Sequence, residues 1–178
     1  MPKNSGKVLS KKTVFKGPLF SVAIEQIADP EGNKGRRDIV HHGGSVVILP
    51  VDKNGRVLLV RQFRHAAGQY LWELPAGGLD GKEDPLAGAK RELIEETGYT
   101  SEKWRKALFF YVSPGFLDES MHIYLARDLK RGKAQPEEDE FITKRLFPLK
   151  QALNMVKTGK ILDAKTIVGI LWLRENLR

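Results

Sequence analysis

Residues 77–99, GGLDGKEDPLAGAKRELIEETGY, constrain the fold more than any other stretch, because local rules conflict there with what stability alone would select. The spacing predicts a helix over residues 85–97. Asp84 can cap it, Pro85 suits the first helical position, and Gly98 suits the left-handed stop. At about 100° per residue, Leu86, Ala89, Leu93 and Thr97 share a face that can pack on a core, with Ile94 at its edge. Glu92, Glu95 and Glu96 gather on another flank. Glu92 lies four residues from Glu96 and three from Glu95, like-charge spacings that each destabilise a helix by a few tenths of a kcal/mol. Glu95 and Glu96 also stand in the last turn, where the helix dipole favours cations. A divalent cation would relieve both conflicts, since carboxylate oxygens suit Mg²⁺ or Mn²⁺ and a helix can present several on one side of an ion. The competing reading is a solvated acidic face on which Arg91 pairs with Glu95.

The wider pattern favours the cation. Gly77, five residues, Glu83, seven residues, then Arg91-Glu92-Leu93-Ile94-Glu95-Glu96-Thr97-Gly98-Tyr99 resembles the Nudix hydrolase box at every defining polar and glycine position. The closing position is usually aliphatic and here is Tyr99, a departure that leaves the glutamates untouched. The resemblance implies a Nudix-type α/β/α sandwich with a mixed central sheet. It implies Mg²⁺, with Mn²⁺ as the alternative, bound by Glu92, Glu96, Glu95 and the Ala76 carbonyl, with Glu83 and Arg91 orienting the ligands.

At 178 residues with 41% hydrophobic, the chain can bury the core of one domain with a small appendage. It has no cysteine, which excludes disulfides, zinc thiolate sites and thiol nucleophiles. No apolar run approaches the roughly 18 residues of a membrane span, and the polar start lacks the apolar segment of a secretory signal. The expectation is a soluble, cytoplasmic protein. The net charge of +8 raises nucleic acid as a partner, but no finger, helix-turn-helix or aromatic RNA-binding pattern accompanies it, and a phosphorylated small molecule is the expected partner.

In chain order, the lysine-rich start reads as a tail. Phe20, Val22 and Ile24 alternate as in a strand, residues 29–33 form a turn, and residues 36–42 pair back as a second strand. This antiparallel β section, residues 1–43, cannot bury much alone and needs a partner surface, either the main domain or a second copy. Residues 44–178 form the main domain. Runs 45–51 and 56–60 flank Asn54-Gly55 and predict a hairpin. Strands follow at 70–74, 104–112, 121–126 and 141–147. Helices are expected over 149–157 and from Asp163 to Leu177, the latter with Ile167, Ile170, Leu171 and Leu177 largely on one side.

Ser113-Pro114-Gly115 after the box, Arg61-Gln62-Phe63-Arg64 before it and Asp163-Ala164-Lys165-Thr166 near the end resemble the ADP-ribose and nucleoside diphosphate sugar pyrophosphatase branch. The resemblance implies cleavage of ADP-ribose to AMP and ribose 5-phosphate. The alternatives are GDP-mannose or another such sugar, the 5′ end of RNA, or a sensing domain that no longer hydrolyses. It also implies a homodimer formed through the N-terminal section. Similar enzymes carry an activating glutamate on the loop before the last strand, where Glu138 and Glu140 fit, although that acidic run could equally be solubilising. Arg37 and Arg64 offer the fixed guanidinium fork that grips a diphosphate, against a plain surface role. Glu73 and the Ser113-Pro114-Gly115 turn are assigned to the same substrate. Phe15 or Phe20 could stack on a base, with core packing as the alternative. His41, His42, His65 and His122 lack ligand spacing and receive no catalytic role.

Overall fold

The computed structural model describes residues 6–132 and 143–176, and the chain divides into two compact units, 1–44 with 110–121 and 45–109 with 122–178. In the first unit, β1 (Lys7–Lys16), β2 (Phe20–Ala28) and β3 (Lys34–His42) form an antiparallel sheet in that order. β2 and β3 pair in register from Phe20 with His42 to Ala28 with Lys34, as the alternation at Phe20, Val22 and Ile24 predicts. Asp29 closes their turn, its carboxylate accepting the N–H groups of Glu31 at 3.0 Å and Asn33 at 2.8 Å. The lysine-rich start, expected as a tail, is instead β1 from Lys7 onward. Val8, Thr13, Val14 and Phe15 supply the β-branched and aromatic positions that suit a strand, and pairing with β2 satisfies its backbone.

The second unit is built on β4 (Ser45–Val51), β5 (Arg56–Arg64), β6 (Gln69–Glu73), β7 (Ala76–Gly78), α1 (Pro85–Thr97), β8 (Tyr99–Thr100), β9 (Lys103–Tyr111), β10 (Ser120–Arg127), β11 (Lys130–Arg131), β12 (Thr143–Pro148), α2 (Leu149–Lys157) and α3 (Ala164–Asn176). Its mixed sheet runs β12-β5-β4-β10-β9, with β6 on β5 and β7 on β4. The predicted hairpin joins β4 and β5. Asp52 holds its turn by accepting from the N–H groups of Asn54 and Arg56 at 2.9 and 2.8 Å, and Gly55 takes the required positive φ of 72°.

Side chains alternate across this sheet, and the two faces receive different helices. On one, Val46, Ile48, Tyr124 and Ala126 pack with Ala89 and Leu93 of α1. On the other lie Leu49, Ile123 and Leu74, which crowd Gly169 of α3 so closely that an added Cβ would stand 2.5 Å from Leu74 Cδ1. The buried face of α3 differs from the expected one. Lys165, Thr166, Gly169, Ile170 and Leu173 are buried, Leu171 is 38% exposed, and Leu177 falls outside the described residues. The cause is polar: Lys165 and Thr166 turn inward because buried hydrogen-bond partners await them.

Candidate active site

The predicted helix forms with its predicted ends. Asp84 accepts from the N–H groups of Leu86 and Ala87 at 3.0 and 3.1 Å, and Gly98 stops α1 at φ 67°. Ala89, Leu93 and Thr97 are buried. So are Glu92 and Glu96, where water cannot solvate their charge and protein or an ion must.

The Ala76–Gly78 strand end lies directly on these glutamates. Ala76 donates its N–H to Glu96 Oε2 at 3.3 Å, and a Cβ on Gly77 would collide with the Glu92 carboxylate. β7 is held in place by β4, pairing Ala76 with Val47 and Gly77 with Val46.

Arg91 gathers the remaining acids. Its Nε and Nη2 donate to the two oxygens of Glu83 at 3.2 and 3.0 Å, and its Nη1 donates to Glu92 at 2.6 Å and Glu95 at 2.9 Å. Nη2 also reaches the Gly78 carbonyl at 3.1 Å. The hydrogen bonds that Arg91 donates to Glu83 lead the effects that raise the Arg91 pKa, and reciprocally Arg91 holds the Glu83 carboxyl below its ordinary value.

The last turn of α1 contains no base, yet the structure supplies a cation from elsewhere. Lys144 of β12 donates from Nζ to the Thr97 carbonyl. Burial, with Arg131 adding to it, lowers the Lys144 pKa. Gly132 N–H donates to the Gly98 carbonyl at 2.6 Å, and β11 pairs with β8 just beyond the helix.

A second ionic group stands at the end of β6. Arg64 grips Glu73 through Nε and Nη2, both at 2.8 Å, and Lys165 Nζ donates to Glu73 Oε2 at 2.5 Å and to Asp163 Oδ1 at 3.0 Å. Thr166 donates to Asp163 from both N–H and Oγ1, while its own Oγ1 accepts the Leu74 N–H at 2.7 Å. Burial pushes the Glu73 carboxyl up, but Arg64 and Lys165 outweigh it and the net shift is downward.

In the second unit the structure therefore brings together Ala76, Glu83, Arg91, Glu92, Glu95 and Glu96, and beside them Arg64 with Glu73. The latter two, expected to bind substrate, engage each other. In the first unit, Ser113 accepts from the N–H groups of Phe116 and Leu117 across the Pro114-Gly115 turn. Arg37 is exposed, with Nη1 on the Arg36 carbonyl at 2.9 Å, and Phe20 packs against Phe15 with ring centroids 5.4 Å apart. Glu138 and Glu140 lie outside the described residues. Sequence reasoning missed the roles of Lys144 and Lys165. The Asp163 cap was visible in the sequence, but the partner that draws Lys165 inward, Glu73, lies ninety-two residues away.

The donor set near Gly77 is oxygen only, which suits a hard divalent ion. Among the described residues no three His, Asp or Glu side chains already converge as a metal cluster, since Arg91 draws Glu92 and Glu95 to itself. The buried glutamate pair against a backbone with no room for a Cβ still fits such an ion by chemistry and by close approach.

Sheet, glycine-bearing strand end and acidic helix together define a mixed α/β protein with a cluster of carboxylates along α1. The NUDIX domain profile matches residues 41–167, and the chain belongs to the Nudix family, whose hydrolases generally need a divalent metal. It is 39% identical over 170 residues to the ADP-ribose pyrophosphatase of Bacillus subtilis (strain 168), covering 94% of this chain and 92% of the relative. It is 35% identical over 176 residues to the methanol dehydrogenase activator of Bacillus methanolicus, covering 95% of each. A crystal structure described as ADP compounds hydrolase shares the fold at TM-score 0.83 and 21% identity, over 97% of this chain and 94% of that one. No helix among the described residues is long and apolar enough to cross a membrane.

Proposed function

We propose that this protein hydrolyses the pyrophosphate bond of a nucleoside diphosphate sugar, with ADP-ribose, cut to AMP and ribose 5-phosphate, as its first substrate. The observation that carries the reading is the buried Glu92 and Glu96 pair beside the Gly77 backbone, where two carboxylates and a close-approaching main chain offer the oxygen donors that suit a divalent cation. The name and the extended similarity of the Bacillus subtilis relative support the substrate.

In this reading Glu92, Glu96, Glu95 and the Ala76 carbonyl hold Mg²⁺. The ion would polarise the phosphoryl oxygens and acidify the attacking water. Glu83 and Arg91 orient those carboxylates. Arg91 also grips Glu83 and the Gly78 carbonyl, contacts that would hold the strand end in place with Glu92 and Glu95 engaged by a metal. Glu138, or Glu140, accepts the proton of the attacking water. Arg37 and Arg64 engage the diphosphate, with Nη1 of Arg64 the donor that Glu73 leaves available. Phe20 stacks on the base, with the Ser113-Pro114-Gly115 turn near the sugar. Residues 44–178 act as the catalytic domain and residues 1–43 join a second copy. Supporting this dimer, β1 is an outer strand exposed along its whole length, with Val8, Leu9, Val14 and Phe15 in the open. The protein works in the cytoplasm.

The test is a panel of nucleoside diphosphate sugars, dinucleotides, triphosphates and capped RNA, compared by kcat/KM with and without Mg²⁺, with products identified by mass. ADP-ribose should lead, and at least one other nucleoside diphosphate sugar should react measurably. A tenfold preference for capped RNA or a triphosphate, about 1.4 kcal/mol in transition-state binding, would sink the substrate assignment.

A further inference from the structure

A basic hollow of the second unit lies away from the acidic helix. Lys103, Trp104 and Arg105 of β9, Leu125 and Arg127 of β10 and the end of α3 line a cavity of about 480 Å³. Leu125 and Arg127 continue the alternation of Ile123, so this is the sheet face covered by α3, opposite the face on which α1 packs.

Three features give this cavity a chemistry. Arg127 keeps a buried Nε with no hydrogen-bond partner among the described residues. A buried imidazole nitrogen such as His122 Nδ1 can lack a donor by choice of tautomer, but a guanidinium N–H is always a donor and needs an acceptor. Arg105 is fixed beside it, its guanidinium 4.9 Å from the Trp172 ring centroid of α3. The one acid on the wall, Glu102, is already engaged by Lys130 at 2.6 Å, so it does not cancel these cations. Lys103 pairs with Asp128 at 2.6 Å, which leaves the two guanidinia as the cationic donors on offer.

We propose that this cavity is a second, non-catalytic site for a phosphate group, free or carried as a small phosphate monoester. Two planar forks on adjacent strands match the several oxygens of a phosphate, and the volume suits a small molecule rather than a polymer.

The experiment is calorimetric titration of the full chain with inorganic phosphate and with ribose 5-phosphate, both in excess EDTA. Wild type, R105A, R127Q and E92Q/E96Q are compared. R105A changes an exposed side chain and tests the site even if R127Q fails to fold. Saturable binding in the millimolar range or tighter is expected, weakened about tenfold or more in R105A and unchanged in E92Q/E96Q. Tighter binding of ribose 5-phosphate than of phosphate identifies a monoester as the occupant, and equal binding identifies free phosphate. No saturable binding, which would leave water as the Arg127 partner, overturns the proposal. So does binding that survives R105A or is lost in E92Q/E96Q.

Discussion

Two ionic groups flank the Pro75–Gly78 turn, and they differ in charge balance. At the end of β6, Arg64 and Lys165 face Glu73 and Asp163, so positive and negative groups match. On α1, the single guanidinium of Arg91 faces Glu83, Glu92 and Glu95, with Glu96 close by and buried. A balanced network is complete in the folded chain and serves to fasten it. On α1, by contrast, half-buried carboxylates outnumber the one guanidinium that grips them, which leaves oxygen donors that suit a further cation. The difference separates a matched ionic network from one with acidic charge in excess, without reference to any motif.

The comparison breaks most visibly on activity. E96Q should lower Mg²⁺-dependent turnover at least about a hundredfold while leaving stability unchanged or a few tenths of a kcal/mol higher, because it removes like-charge repulsion at a helix end. Initial-rate assays and urea melts read both, and near-normal turnover would remove Glu96 from the ion's ligands.

The reverse pattern is expected at the balanced group. Lys165 is 9% exposed, and K165M leaves Glu73 with one cation fewer in a buried place, which should destabilise the fold by about 3 kcal/mol. A urea midpoint within error of wild type would show that the network is dispensable.

The acid limb of the stability curve sharpens the contrast. Glu73 has its folded pKa below the ordinary 4.5, so its contribution is present above 4.5 and is lost as pH falls through the folded value. E73Q, though less stable overall at neutral pH, should flatten stability against pH below 4.5. An unchanged acid slope would mean that other carboxyls set it.

The smallest effect is expected at Lys144. K144M removes one hydrogen bond and a cation from the end of α1, a loss of about 1 kcal/mol, read from the same urea melts. An unchanged midpoint would assign the acidic last turn no help from β12.

The parts of the fold that were legible in the sequence are those written by neighbours in the chain. Asp84, Pro85 and Gly98 gave the ends of α1, and Asn54-Gly55 gave the hairpin, because caps and turns are settled within four or five residues. The inward face of α3 was misread because Lys165 and Thr166 are buried by Glu73 and Leu74, ninety-two residues away. Lys144 was invisible for the same reason, since it meets Thr97 only through the sheet. Lysines also disguised β1, whose partner strand, not its own polarity, decides its conformation. In the site itself, the box residues on α1 announced themselves by breaking helix rules. Arg64 looked free for substrate because nothing local reveals that Glu73 takes two of its donors.

The contacts at the end of α1 also act as a tether. Gly132 is bonded to Gly98, and Lys144 of β12 is bonded to Thr97, so two other segments are fastened to the end of the helix that carries Glu92 and Glu96. Fixing the last carbonyls of α1 from two other elements restrains the helix end that carries Glu96, so the position of its carboxylate is set by the fold and not by the helix alone.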